Sequence, residues 1–289
     1  MGVPHFVVVE PSETTAYLNG RCYGELIELP EKYKTDYDTY DTLGLSKSTG
    51  PGPARNFCLD HSKELGFSRH WVMDDNIDAF HRLHENEKHE IRTGATLRAM
   101  EDFTDRYLNV PISGPNYYSF CKKTAAVPPF ITNTRIYSCL LMSNSIKYRW
   151  RGRYNEDTDL SLRVLKDGDC TVQFNAFLCG KTTTQRMGGG NTRDFYETEG
   201  TKPKSEMLER MHPDVARVVF KFGRWHHHVN YKPFKNNKLK LRDDVILPDG
   251  FNNYGMRLVN AGSQGRWCGV PAPLEGLQAS HGAHSDVCM

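Results

Sequence analysis

Long apolar runs are missing. No stretch approaches the roughly 20 consecutive apolar residues that span a bilayer, and the opening segment Met1-Gly2-Val3-Pro4-His5 lacks the basic and apolar blocks of a signal peptide. A soluble, cytoplasmic protein with no membrane partner is therefore expected. A strong charge of one sign is missing too. The formal net charge is +2, so no global field argues for nucleic acid, and any basic surface must be local. Paired cysteines are also missing. The eight cysteines stand singly, without a Cys-x-x-Cys pair, which argues against zinc and dithiol sites and leaves reduced core thiols as the expectation.

What is present suits one large domain, since 289 residues with 38% hydrophobic content can bury a substantial core. Phe6-Val7-Val8-Val9 is a β-branched run of the kind found in buried strands. A short helical stretch from Glu13 to Leu18 and a second strand from Tyr23 to Leu29 complete the opening of a βαβ unit. Residues Lys32 to Pro53 form a long irregular connection. Ala54 to Leu65 resumes helical spacing with Gly66 as its stop, and His70 to Met73 returns to the sheet.

That strand ends in Asp74-Asp75-Asn76-Ile77-Asp78. Carboxylates are thereby held at the carboxyl end of a strand, where open α/β sheets bind their ligands. Two adjacent carboxylates suit a divalent cation on a phosphorylated ligand, and a solvated acidic turn is the plain alternative. Further on, Ile77 to Leu83 reads as a strand, Thr93 to Tyr107 as a helix, and Val110 to Phe120 and Pro129 to Met142 have β character. Asn155 is placed to cap a helix whose first turn holds Glu156, Asp157 and Asp159, by helix-start chemistry or as a general base facing the first acidic cluster. Thr171 to Leu178 alternates like a strand, and Lys181 to Asp194, with Arg186 and three glycines, reads as a flexible loop. Pro203 to Phe222 has helical spacing, and the segment 261–289 reads as a loosely ordered tail.

Two stretches combine cations with aromatics. Lys147, Arg149, Arg151 and Arg153 alternate with Tyr148, Trp150 and Tyr154, so an extended strand would show four cations on one face, either to a phosphate backbone or simply to solvent. Arg217 to Arg242 contains no acidic residue, interleaves Trp225, Tyr231 and Phe234, and carries His226-His227-His228.

Taken in order, Ala54-Arg55-Asn56, the strand ending in Asp74-Asp75-Asn76, and Asn155-Glu156-Asp157-Thr158-Asp159-Leu160 with Arg163 and Gly168 beyond resemble the GT-A glycosyltransferases. The insert before Ala54 and the Thr184 to Gly190 segment resemble, more narrowly, the TET-associated glycosyltransferases of bacteriophages, which are similar to the base J glucosyltransferase. The resemblance implies an α/β fold of GT-A type, with a Rossmann-like, mostly parallel central sheet, flanking helices and a smaller acceptor-side sheet. It implies a single domain over 1–260, with 5–110 binding the nucleotide sugar and 111–260 the acceptor. The implied activity is transfer of a hexose from a UDP-sugar, UDP-glucose or a close relative, to a 5-hydroxymethylpyrimidine in DNA, with Mn²⁺ or Mg²⁺ as cofactor. A protein or glycan acceptor, or an inactive DNA-binding relative, are the alternatives. By the same resemblance Asp157 is the base if configuration inverts, with Glu156 as substitute, and Glu10, Arg55, Asp74, Asp75 and Asn76 surround the nucleotide. Asp74, Asp75 and Asn76 with His226 or His228 would bind the metal, and Lys147, Arg149, Arg151, Arg153 and Arg186 the acceptor. Asn76 departs from the pattern, since an acid is usual at the third position of Asp-x-Asp.

Overall fold

A computed structural model describes residues 1–20, 22–122, 127–181, 201–246 and 250. Strands β1 (Phe6–Val9) and β2 (Glu25–Glu28) pair in parallel on either side of helix α1 (Thr14–Asn19), which is the expected βαβ opening. The connection that follows contains helix α2 (Lys32–Thr35) and a short 3-10 turn at Gly44–Ser46 before helix α3 (Gly52–Glu64) and strand β3 (Arg69–Met73). Then come β4 (Ile77–His84), β5 (Glu87–Ile91), α4 (Ala95–Thr104), β6 (Ile112–Tyr117), β7 (Phe130–Thr132) and β8 (Cys139–Ser143). Helix α5 (Glu156–Lys166), strand β9 (Thr171–Lys181), helix α6 (Lys202–Met211) and the hairpin β10 (Ala216–Lys221) and β11 (Arg224–Val229) complete the order.

The central sheet runs β3-β8-β6-β9-β4-β5, with β7 also paired to β9. Strands β3, β6 and β9 point the same way, while β8 and β4 run against them, so within this sheet only the β6–β9 ladder is parallel. The α/β class is as expected, and the sheet is mixed. Hydrophobic cores form on both faces. One joins Met100 and Phe103 of α4 to Val172 and Phe174 of β9, and the other joins Leu59 of α3 and Leu160 and Val164 of α5 to Val72, Ile112 and Leu140. Because β9 is paired along both edges and packed by α4 and α5, it is buried nearly throughout and lacks the alternation expected for Thr171 to Leu178.

Three further expectations change. Asn155 does not cap α5 with its side chain; it has φ 55° and donates its amide to the Lys204 carbonyl at 2.6 Å. The helical spacing through Phe222 ends at Met211, because Pro213 cannot continue a helix and the β-branched Val215, Val218 and Val219 favour the strand that follows. Lys147 to Tyr154 is not a strand, and its four cations do not share an open face. Lys147 pairs with Asp167 at 3.2 Å, Arg149 with Asp60 at 2.8 Å and Arg151 with Asp159 at 3.1 Å. Arg153, with its side chain 0% exposed, bonds Asp41 at 2.7 Å and donates to the carbonyls of Gly44 at 2.7 Å and Lys47 at 3.0 Å. The irregular connection is therefore wrapped around a buried guanidinium, which supplies the order its sequence does not.

All six described cysteines are free, and among the described residues no helix is long and apolar enough to cross a membrane. The glycine-rich segment 182–194 with Arg186, the boundary at 260 and the tail 261–289 lie outside the described residues.

Candidate active site

Helix α3 starts with Pro53 in its first turn, a position that needs no amide donor, and turns Arg55 and Asn56 inward. A Cβ on Gly52 would sit 1.8 Å from the Tyr37 hydroxyl, so only glycine lets the helix begin this close to the packed connection. Asn56 fixes the facing chain reciprocally: its Nδ2 donates to the Trp150 carbonyl at 3.0 Å, and its Oδ1 accepts from the Trp150 amide at 2.9 Å. The indole so held lies under the Arg55 guanidinium, at 4.7 Å.

Arg55 joins the three motifs. Its Nη2 donates to Asp74 Oδ1 at 2.7 Å, and its Nη1 to Glu156 Oε1 at 2.8 Å. The second oxygen of Asp74 takes Lys181 Nζ at 3.0 Å. Lys181 also donates to Ser138 Oγ at 2.5 Å, and that hydroxyl lies 2.5 Å from Tyr117 Oη. Lys181, Ser138 and Tyr117 are absent from the expected set. Lys181 ends β9 as Met73 ends β3 just before Asp74, and that shared position at a strand end is the one sequence signal they carry.

The charges are tuned by this enclosure. Burial by itself would raise the Asp74 carboxyl, but Arg55 and Lys181 outweigh it and hold Asp74 below the usual carboxylate range. Burial pushes Glu156 up to about 7 against the pull of Arg55, and burial raises Asp157 as well. These two carboxyls titrate as a pair. They differ in access. Glu156 is 8% exposed and held by Arg55, whereas Asp157 is half-buried, makes no ion pair among the described residues and accepts the Thr158 amide at 2.7 Å. The third carboxylate of the helix start, Asp159, is fully buried and bound by Arg151, Arg163 and His212, which makes it structural.

A cavity of about 330 Å³ is lined by Asn116, Arg135, Tyr137, Gln173, His227 and Tyr231, among others. Asp157 acts electrostatically on Arg135, Tyr117 and Tyr231. Tyr137 stacks on Tyr117 at 4.9 Å and carries the Arg135 guanidinium at 4.6 Å. Burial, reinforced by Arg135 with its Nη1 3.1 Å from His227 Nε2, pushes His227 down to about 4, so the ring is neutral at pH 7. The Tyr231 hydroxyl is buried with no hydrogen-bond partner among the described residues. Apart from the histidine run, from which a metal ligand was expected, the cavity residues were not among the candidates, because they come from segments far apart in the chain.

The expected metal set does not assemble as a protein cage. Among the described residues no group of three or more His, Cys, Asp or Glu side chains is placed to hold a metal ion. Both oxygens of Asp74 are taken by cationic side chains and Asn76 is buried, while Asp75 is exposed and makes no ion pair among the described residues. His226 lies against Arg224 Nε at 3.3 Å, and His228 borders the cavity. Glu10, at the end of β1, pairs with Lys34 at 2.9 Å.

A family model described as TET-Associated Glycosyltransferase matches residues 1–190. The chain belongs to that family. It is a glycosyltransferase, and the family implies a nucleotide-sugar donor and a modified base of DNA as acceptor. The matched span of this TET-associated glycosyltransferase contains Arg55, Asp74, Glu156, Asp157 and Lys181, whereas the β10–β11 hairpin lies beyond it. No curated protein and no solved structure matches the chain.

Proposed function

We propose that this glycosyltransferase moves a hexose, in the first instance glucose from UDP-glucose, to the hydroxyl of a 5-hydroxymethylpyrimidine in DNA. The observation that carries the reading is the meeting of Asp74 and Glu156 on one guanidinium, next to a partly exposed carboxylate, Asp157, that acts electrostatically on Arg135 and Tyr231 of the cavity lining. Asp157 is the group that takes the acceptor proton. It is the more accessible of the two carboxyls, and a raised pKa makes a carboxylate a better base. Glu156, bonded to Arg55, orients the start of α5 and is the substitute base. Asp74 holds Arg55 and Lys181 at the donor side, where Glu10 and Asn76 also lie at or near strand ends.

A divalent cation, Mn²⁺ or Mg²⁺, fits Asp75 together with the donor phosphates, since hard cations are commonly held by one or two carboxylates, substrate phosphates and water. Its chemistry there would be to stabilise charge on the departing diphosphate. The acceptor base would be extruded from its stack into the cavity, against the Tyr137 ring and within reach of Arg135 and Gln173.

The test is UDP release from UDP-glucose with four acceptors: hydroxymethylated DNA, unmodified DNA, a simple glycan and a peptide. Turnover with hydroxymethylated DNA alone is the expected result. Turnover with glycan or peptide and no response to hydroxymethylated DNA would overturn the reading.

A further inference from the structure

The β10–β11 hairpin presents an aromatic side chain where a hairpin has least use for one. Lys221 pairs with Arg224, so the turn is the two residues Phe222 and Gly223, with φ of 52° and 73°. Positive φ at both positions defines the type I′ geometry, which favours Asn-Gly or Asp-Gly because a bulky side chain crowds the backbone there. The other two-residue hairpin, between β4 and β5, has positive φ at Glu85 and Asn86 and is polar at both turn positions. Phe222 is 94% exposed. It is thus disfavoured both by its backbone conformation and by its contact with water, and a residue costly on both counts points to a contact made outside the fold.

The base of the tip is firm and basic. Phe220 and Trp225 meet edge to face at 5.1 Å, and Lys202 lies 5.4 Å over the indole. Arg217, Lys221 and Arg224 make no ion pair among the described residues, and the hairpin carries no acidic residue. Lys221 and Arg224, cations without a carboxylate partner among the described residues, flank the projecting aromatic, which matches a polyanion whose bases can be parted, because apolar wedges unstack base steps while flanking cations hold the phosphates. The same strand reaches the cavity. His227 lies four residues beyond Gly223, about 13 Å away at ~3.3 Å per residue of extended strand.

We propose that Phe222 is a wedge that enters the base stack of duplex DNA at the target step, with Lys221 and Arg224 on the adjoining phosphates, and so keeps the target base extruded into the cavity that β11 lines. This rests on the reading of DNA as the acceptor. A wedge is needed only where a stack must be opened, so its effect depends on the acceptor's strandedness.

The experiment compares the intact chain with Phe222→Ala and Phe222→Trp on hydroxymethylated duplex and single-stranded oligonucleotides. A duplex with 2-aminopurine opposite the target reports base opening without turnover. Phe222→Ala should lower transfer to duplex about 10- to 100-fold, spare transfer to single strands, abolish the 2-aminopurine brightening, and be rescued by Phe222→Trp. Equal losses on duplex and single strand, or no loss on either, overturn the wedge while leaving DNA glycosylation in place. A hairpin-dependent dimer by sedimentation, with unchanged DNA opening, also overturns it. A wild-type protein that neither binds nor modifies hydroxymethylated DNA removes the acceptor reading itself, and the wedge with it.

Discussion

Residues 147–154 and the hairpin 216–229 look alike as strings of letters, each a run of cations with aromatics between them, and the fold uses them in opposite ways. In the first, every cation is answered by a carboxylate: Lys147 by Asp167, Arg149 by Asp60, Arg151 by Asp159 and Arg153 by Asp41. In the second, Arg217, Lys221 and Arg224 have no carboxylate partner among the described residues, and Phe220 and Phe222 face solvent. The difference lies in their partners. A basic run flanked by the acidic start of α5 and laid across the connection is neutralised within the fold, whereas a hairpin that forms its own two-stranded sheet and carries no acidic residue keeps its charge for something outside. Cation count in a sequence therefore does not measure cation availability.

The comparison can be sharpened first at the helix start that the inner stretch feeds. Asp157→Asn should lower kcat about 10²- to 10⁴-fold while leaving the affinity for hydroxymethylated DNA intact, as measured by single-turnover transfer and by anisotropy. Loss of DNA affinity with unchanged single-turnover rate would move Asp157 from chemistry to binding. Next in size is Arg153→Ala, which strands Asp41 and the carbonyls of the connection. It should cost about 3–5 kcal/mol in urea unfolding and leave the salt dependence of DNA binding unchanged in the fraction that remains folded.

The triple change Arg217→Gln, Lys221→Gln and Arg224→Gln should behave conversely. Stability should move by no more than about 0.5 kcal/mol per substitution, because these are surface positions away from buried partners. The slope of log affinity against log salt should fall by about 2.7 if all three meet phosphates, at ~0.9 per contact. An unchanged slope would make the two stretches equivalent after all. The smallest effect belongs to Lys147→Ala. Its exposed pair with Asp167 should contribute about 0–1 kcal/mol, and its loss should not alter DNA binding.

The pH profile tests the enclosure of the acidic pair. A general base works deprotonated, so activity is lost as pH falls through the titration of the pair. With Asp157 raised by burial, the acid limb of kcat/KM should lie above the range of ordinary carboxyls. Glu156→Gln removes a neighbouring negative charge and should shift that limb to lower pH. For stability the sign is opposite to the usual carboxylate case. A carboxyl whose folded pKa is raised binds more protons in the folded state, so its contribution to stability falls as pH rises from the ordinary carboxylate range to about 7.

The sequence by itself determined the α/β class, the opening βαβ unit, the helix-to-strand unit ending at Asp74 and the acidic start of α5, because hydrophobic periodicity and strand-end chemistry act over a few residues. The order Ala-Arg-Asn, Asp-Asp-Asn, Glu-Asp carried the family, which the match over residues 1–190 bears out. What only the tertiary structure decided is which charges meet. Arg55 bonds residues 19 and 101 positions away, and Lys181 reaches Asp74 from 107 positions away. Arg135 meets His227 across 92 positions. No local pattern encodes such separations, since a pairing of that kind is set by how strands are ordered in a sheet and not by what stands next to a residue in the chain. For the same reason Lys147 to Tyr154 could not be read correctly from its alternation. Its cations are defined by the carboxylates that the fold brings to them, and Phe222 by its exposure at the hairpin tip, where its ring meets that of His226 edge to face at 6.4 Å.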